Sequence, residues 1–183
     1  MTSRQSQAAR ALALAVLAGG LGACSSMRGP REDVQYVEEP VTALYNRGAQ
    51  QLDRRRWAEA LAAFEEVERQ HPYSSWARRA MLMEAYAHYS ANQYDAAIED
   101  AQRFLSLHPG NESAPYAYYL IAICHFERIL DVGRDQATTE RALAALQDVV
   151  RRYPDSPYAR DARLKIDMVY DQLAGKELSL IHI

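Results

Sequence analysis

Few groups in this 183-residue chain have chemistry to offer, and their spacing sorts them. Cys24 stands directly after Leu21-Gly22-Ala23, small residues of the kind a processing peptidase needs before its cut. It is the one nucleophile placed where covalent modification after cleavage makes sense. The second cysteine, Cys124, lies inside the apolar run 118–126 and reads as a buried structural thiol. His88 and His125 stand 37 residues apart. A metal pair would need a third ligand at fitting spacing, which the sequence does not supply, so two repeat-equivalent packing histidines are the stronger reading. There is no nucleophile elbow, phosphate loop or zinc spacing. Carboxylates such as Glu65-Glu66 and Glu99-Asp100 fall on outer helix faces, where solvation explains them. No catalytic residue and no metal site is assigned, and an enzyme is disfavoured. What remains abundant is tyrosine, twelve of them, whose ring and hydroxyl suit a half-wet binding surface.

The elements that must position these groups begin with a leader. Met1 to Arg10 is polar and carries Arg4 and Arg10, and Ala11–Leu21 is an apolar run of 11 residues. That is too short to span a bilayer and right for the hydrophobic region of a signal peptide. With Cys24 at its end, Leu21-Gly22-Ala23-Cys24 resembles a lipobox, so residues 1–23 are expected to be a lipoprotein signal peptide. An ordinary secretory signal with a chance cysteine is the alternative. The resemblance implies that Cys24 becomes the first mature residue, with a diacylglyceryl thioether and an amino-linked acyl chain such as palmitate. No other cofactor is expected. More than one acyl chain is what makes such an anchor stable. Ser25, in a place where Asp retains lipoproteins at the inner membrane, implies the outer membrane, facing the periplasm. With Cys24 acylated, no intramolecular disulfide is possible. Residues 24–40 are polar, contain Gly29, Pro30 and Pro40, and read as a flexible tether. Val34, Tyr36 and Val37 alternate enough for part of the tether to dock on the first hairpin.

Beyond Pro40 one phrase is written three times: His71-Pro-Tyr-Ser-Ser-Trp-Ala77, His108-Pro-Gly-Asn-Glu-Ser-Ala-Pro-Tyr-Ala117 and Tyr153-Pro-Asp-Ser-Pro-Tyr-Ala159. Each is a helix stop (Pro72, Pro109, Pro154), a Ser that can cap, then an aromatic and an alanine opening the next helix. Gly48, Ala85 and Ala122 are spaced by 37, as are Ala60 and Ala97, with Ala142 following after 45. A shared period with small residues at helix crossings means stacked helical hairpins, and the pattern resembles tetratricopeptide (TPR) repeats. The expected fold is all-α, a TPR-like solenoid of about three and a half hairpins over residues 41–177. The pairs are 41–53 with 57–70, 75–91 with 94–107, and 113–130 with 138–152, followed by a seventh helix over about 157–174. The eight extra residues of the third pair are expected in a polar loop, Asp131–Ala137. In such a stack the first helices line the concave face. Projecting their phase places Tyr45, Leu52, Leu82, Tyr86, Tyr89, Tyr116, Tyr119, Ile123 and Phe126 toward a groove suited to an extended, aromatic-ended peptide. The competing reading is that about half of these side chains pack between hairpins.

The net charge of −3, or −5 once Arg4 and Arg10 leave with the leader, argues against a nucleic-acid partner. The longest run of like charge, Arg54-Arg55-Arg56, reads as a solvated helix end that complements the helix dipole.

Leu178-Ser-Leu-Ile-His-Ile183 breaks the pattern and matches the in-frame translation of a transposase sequencing adapter. Residues 178–183 are therefore expected to be an artefact, with the natural sequence departing near Glu177.

The lipobox, short tether and punctuated hairpins together resemble the BamD (ComL) family, outer-membrane lipoproteins of the β-barrel assembly machinery. The most specific pieces are Asp95-Ala-Ala-Ile-Glu99, Phe104-Leu-Ser-Leu-His-Pro109, Tyr116-Ala-Tyr-Tyr-Leu120 and the Asp131–Gln136 insertion before Ala142-Leu-Ala-Ala-Leu146. The resemblance runs from about Leu21 to Glu177. It implies a non-enzymatic scaffold and receptor for unfolded outer-membrane proteins, whose C-terminal signals end in an aromatic residue. It also implies a lipid anchor to the membrane, and BamA and the other Bam lipoproteins as partners. Members continue for further hairpins, where they dock BamA. A Tol-associated periplasmic TPR coordinator of envelope processes is the runner-up, but that group is soluble and preceded by a coiled coil.

Overall fold

The structure, a computed structural model, describes residues 38–131 and 136–181. The expected signal peptide, Cys24 and most of the tether lie outside the described residues, as do positions 132–135. Seven helices stand in order: α1 (Val41–Asp53), α2 (Trp57–Gln70), α3 (Ser75–Ser90), α4 (Tyr94–Leu107), α5 (Ala114–Asp131), α6 (Gln136–Arg152) and α7 (Pro157–Ile181). There is no strand among the described residues.

Three first helices, α3, α5 and α7, begin where the sequence offers caps, while α1, α2 and α4 start without a side-chain cap. Ser74 Oγ accepts from the Ala77 N–H at 3.0 Å, and Ser156 Oγ accepts from the Ala159 N–H at 3.1 Å. Asn111 holds the third such place, accepting from the Ser113 N–H at 2.9 Å. The turns within the first two hairpins are copies of each other. The Arg56 N–H donates to Gln51 O and the Gln93 N–H to His88 O, both at 2.9 Å. Arg55 and Asn92 between them take left-handed φ values of 57° and 59°.

Packing follows the period. Ala60, Ala97 and Ala142 are fully buried at one level of the second helices. Phe64, Ala101 and Leu146 fill the next level, and Val67, Phe104 and Val149 the third. Opposite the middle level sit Gly48, Ala85 and Ala122, all buried. Volumes are matched across that seam: glycine meets phenylalanine, alanine meets alanine, and alanine meets leucine. Each first helix also touches the first helix of the next hairpin, α1 with α3, α3 with α5, and α5 with α7. Among the described residues the backbones of consecutive second helices do not approach as closely, and α2 and α4 are linked through the Arg103–Glu68 side-chain pair. The stack therefore curves with its first helices on the inside.

Two boundaries differ from expectation. The end of α3 at Ser90 corresponds to Glu127 (90 + 37), yet α5 runs four residues further, to Asp131. The start of α4 at Tyr94 corresponds to Thr139 (94 + 45), yet α6 begins three residues earlier, at Gln136. Three residues of the expected loop, Asp131, Gln136 and Ala137, thus belong to the helices that flank it. Gln136 and Ala137 are good helix formers, and propagating an existing helix is easier than closing a longer loop. At the other end α7 continues past 174 to Ile181, so the backbone of the suspected foreign segment is helical through that residue.

The chain preceding α1 is held at its last residues. The Glu39 N–H donates to Gln70 Oε1 at 2.9 Å, the His71 ring meets Glu39 O at 2.9 Å, and Arg47 pairs with the Glu39 carboxylate at 2.9 Å. Docking of the tether therefore reaches at least Glu39, while Val34, Tyr36 and Val37 lie outside the described residues.

Candidate functional site

The inward side chains of the first helices divide into packed and open ones. Leu82, Ile123 and Phe126 are 7%, 5% and 4% exposed, so these three are not accessible groove wall. The reason is the next first helix leaning over them: Leu82 clusters with Ala117 and Tyr116, and Lys165 Nζ lies 5.0 Å over the Phe126 ring. Tyr45 is half-buried, its ring 5.5 Å from Phe64 and 4.9 Å from Trp76. Tyr116 and Tyr119 are half-buried between α5 and α7, 5.6 Å and 5.3 Å from the Tyr158 ring. The Tyr119 hydroxyl donates to Asp161 Oδ2, and Lys165 Nζ is 3.5 Å from the same oxygen. Burial, reinforced for Tyr119 by the Asp161 carboxylate, pushes both phenols well above their ordinary range, so neither ionises at any working pH.

Tyr86 and Tyr89 behave differently. Tyr86 is 39% exposed, with its ring 6.3 Å from Tyr89, and Tyr89 in turn is 6.1 Å from Tyr94. These rings and Trp57 wall an open cleft of about 500 Å³, floored by Leu52 and bordered by Asp53, Arg55 and Glu127. Trp57 and Tyr94 are repeat equivalents, each the first residue of a second helix, and Arg55 and Asn92 are the equivalent turn residues. The cleft is thus the place where two copies of one hairpin turn meet the inner face. Of the projected residues Tyr86 and Tyr89 border this cleft and Leu52 is buried beneath it, while Trp57, Tyr94, Asp53, Arg55 and Glu127 were not among those projected. The 37-residue match of Trp57 with Tyr94 was the available signal. The arrangement offers aromatic faces, hydroxyls and both signs of charge, which suits a peptide and provides no group activated for bond making.

Between α2, α3 and α4 lies a partly buried ionic cluster centred on the buried Glu84. Arg103 bridges Glu68 at 2.8 Å and Glu84 at 2.7 Å, and Asp100 accepts from the His88 ring at 2.7 Å. Glu84 is 4% exposed, and its Oε1 has no partner among the described residues. Burial, with the negative Glu68 beside it, raises the Glu84 carboxyl to about 8 despite Arg103. His88 is thus engaged by a carboxylate of α4. The burial of His125 lowers its pKa, with help from Arg128 and Arg141. Cys124 is fully buried, and its thiol is pushed up to about 12 by that burial.

Comparison with known proteins agrees with this architecture. The first TPR domain of human RPAP3 superposes with a TM-score of 0.55 at 19% identity, covering 76% of this chain and 96% of that one. The first TPR of Spaghetti (RPAP3), bound to an HSP90 peptide, gives 0.54 at 17% identity, covering 77% and 98%. The outer membrane protein assembly factor BamD of Caulobacter vibrioides is 57% identical over 176 residues, 96% of this chain and 57% of the relative. Its namesake from Rickettsia prowazekii is 38% identical over 168 residues, 92% and 65%. The chain therefore spans about three fifths of the length of these relatives. The profile of the family described as outer membrane lipoprotein, YfiO, matches residues 37–183. Stacked hairpins in TPR phase and these matches lead to one assignment: the chain belongs to the YfiO (BamD) family of outer membrane lipoproteins.

Proposed function

We propose that this chain acts in outer-membrane protein assembly as a non-enzymatic scaffold and peptide receptor, anchored to the periplasmic face of the outer membrane by lipid on Cys24. The client would be an extended segment of an unfolded outer-membrane protein carrying an aromatic side chain. BamA and the other Bam lipoproteins would be its partners in handover. The observation that carries the receptor reading is the open cleft walled by Trp57, Tyr86, Tyr89 and Tyr94. A client ring can stack there while its backbone bonds to tyrosine hydroxyls.

The test is a titration of peptides ending in phenylalanine against the mature chain, with Tyr86→Ala and Tyr119→Ala alongside. Tyr86→Ala is expected to weaken binding about tenfold, the cost of losing one aromatic contact. Tyr119→Ala should leave affinity nearly unchanged, because that ring is committed to Tyr158 and Asp161. Equal affinity of the native chain and Tyr86→Ala, or equal affinity for peptides with and without the aromatic, would remove the cleft assignment.

A further inference from the structure

The turns joining α1 to α2 and α3 to α4 share one backbone and carry different side chains. The first is Arg54-Arg55-Arg56 and the second Ala91-Asn92-Gln93, with the same hydrogen bonds and the same left-handed central residue. Asparagine tolerates that conformation, whereas the Cβ of arginine is crowded by the following carbonyl. Arg56 is also the N-cap of α2, a place where the helix dipole favours an anion and where the second hairpin has neutral Gln93. The triplet is a solvated helix end, and Arg54, the C-cap of α1, complements that helix's dipole as expected, whereas Arg56 opposes the dipole of α2. The second turn shows that the fold needs no cation here. All three arginines are exposed, and none of their side chains has a hydrogen-bond or ion-pair partner among the described residues, although Asp53 and Glu127 border the same cleft as Arg55.

We propose that this turn is a contact for an anionic membrane surface, its guanidinium groups receiving lipid phosphates. The planar fork of arginine fits a phosphate in bidentate fashion and gives up its hydration more readily than lysine. The occupant is chosen by reach, and to that extent the inference rests on the anchor proposed at Cys24. Sixteen residues, 25–40, separate Cys24 from α1 and can span at most about 55 Å. The 13 residues of α1 set the turn about 20 Å from the point where that segment joins. A bilayer holding the lipid on Cys24 is therefore within reach of the arginines. Contact there would hold the open end of the tyrosine cleft beside the membrane.

The experiment uses the mature chain with Cys24→Ser, so that no acyl chain contributes, in co-sedimentation with vesicles. Binding to phosphatidylglycerol-containing vesicles, loss of it on adding salt, and no binding to phosphatidylcholine alone are expected. Arg54→Gln with Arg56→Gln should reduce binding at least fivefold while leaving affinity for aromatic-ended peptides unchanged. Arg55→Asn should weaken binding and raise the melting temperature, which separates lost contact from lost folding. Native-level binding in the Arg54/Arg56 variant, or equal binding to both lipids, would overturn the proposal. So would an acidic peptide that requires the arginines where vesicles do not. Failure of peptide binding with vesicle binding intact would count against the cleft and not against this turn.

Discussion

Gly48 and Phe64 face each other across the first hairpin so closely that a β-carbon on Gly48 would lie 2.6 Å from Phe64 Cε1. Phe64 is fully buried, in an interior that is close-packed as a rule. Gly48→Ala should therefore destabilise by about 1–3 kcal/mol, the cost of overpacking exceeding alanine's helix-propensity gain of about 1 kcal/mol. Urea denaturation checks this. Adding Phe64→Leu should recover much of the loss, since the third hairpin packs Ala122 and Leu146 at the equivalent positions.

Glu84 ties stability to pH. Its folded carboxyl titrates near 8, above the ordinary value of 4.5. The folded chain therefore holds a proton that the unfolded chain releases first. This contribution is complete below about pH 4.5, is lost as pH rises through about 8, and is level beyond. Stability should fall by on the order of a few kcal/mol across that window. Glu84→Gln should flatten the slope, because Arg103 keeps Glu68 and the glutamine stays neutral. Denaturation midpoints at several pH values would show it, and an unchanged slope in Glu84→Gln would reassign the effect.

Tyr86 and Tyr119 should separate in stability as they do in binding. Truncating the exposed Tyr86 ring should cost under about 1 kcal/mol. Tyr119→Ala removes a ring packed on Tyr158 and leaves Asp161 with Lys165 alone, at a cost of about 2–4 kcal/mol. Thermal melts of the two variants compare them directly.

The Cys124 thiol should resist alkylation. It is fully buried and its pKa is near 12, so almost no thiolate exists at pH 8. In the Cys24→Ser chain, iodoacetamide should label it at least a hundredfold more slowly in buffer than in denaturing urea. Mass spectrometry reads the adduct.

The fold was legible because crossing helices tolerate only small residues, and Gly48, Ala85 and Ala122 announce that crossing at a constant period. Prolines 72, 109 and 154 marked where helices stop. The site was legible only in part. Projection gives the direction a side chain leaves its helix, not what arrives from the next hairpin, so Leu82, Ile123 and Phe126 read as groove wall although α5 and α7 cover their surroundings. Glu84 was missed because its partners, Glu68 and Arg103, come from two other helices and carry no pattern in the chain. The third hairpin misled because Asp131–Ala137 is polar enough for a loop, while its flanks continue helices already begun.

Among the described residues, helices meet only their sequence neighbours and next-but-one neighbours, and no pair further apart touches. Such a chain has low contact order: little loop-closure entropy opposes its assembly, and folding can nucleate on any hairpin and zip outward. The same locality limits cooperativity. A defect at Gly48 loosens the first two hairpins and leaves α6 and α7 docked, so disruption should spread as unzipping from one end and not as a single collapse.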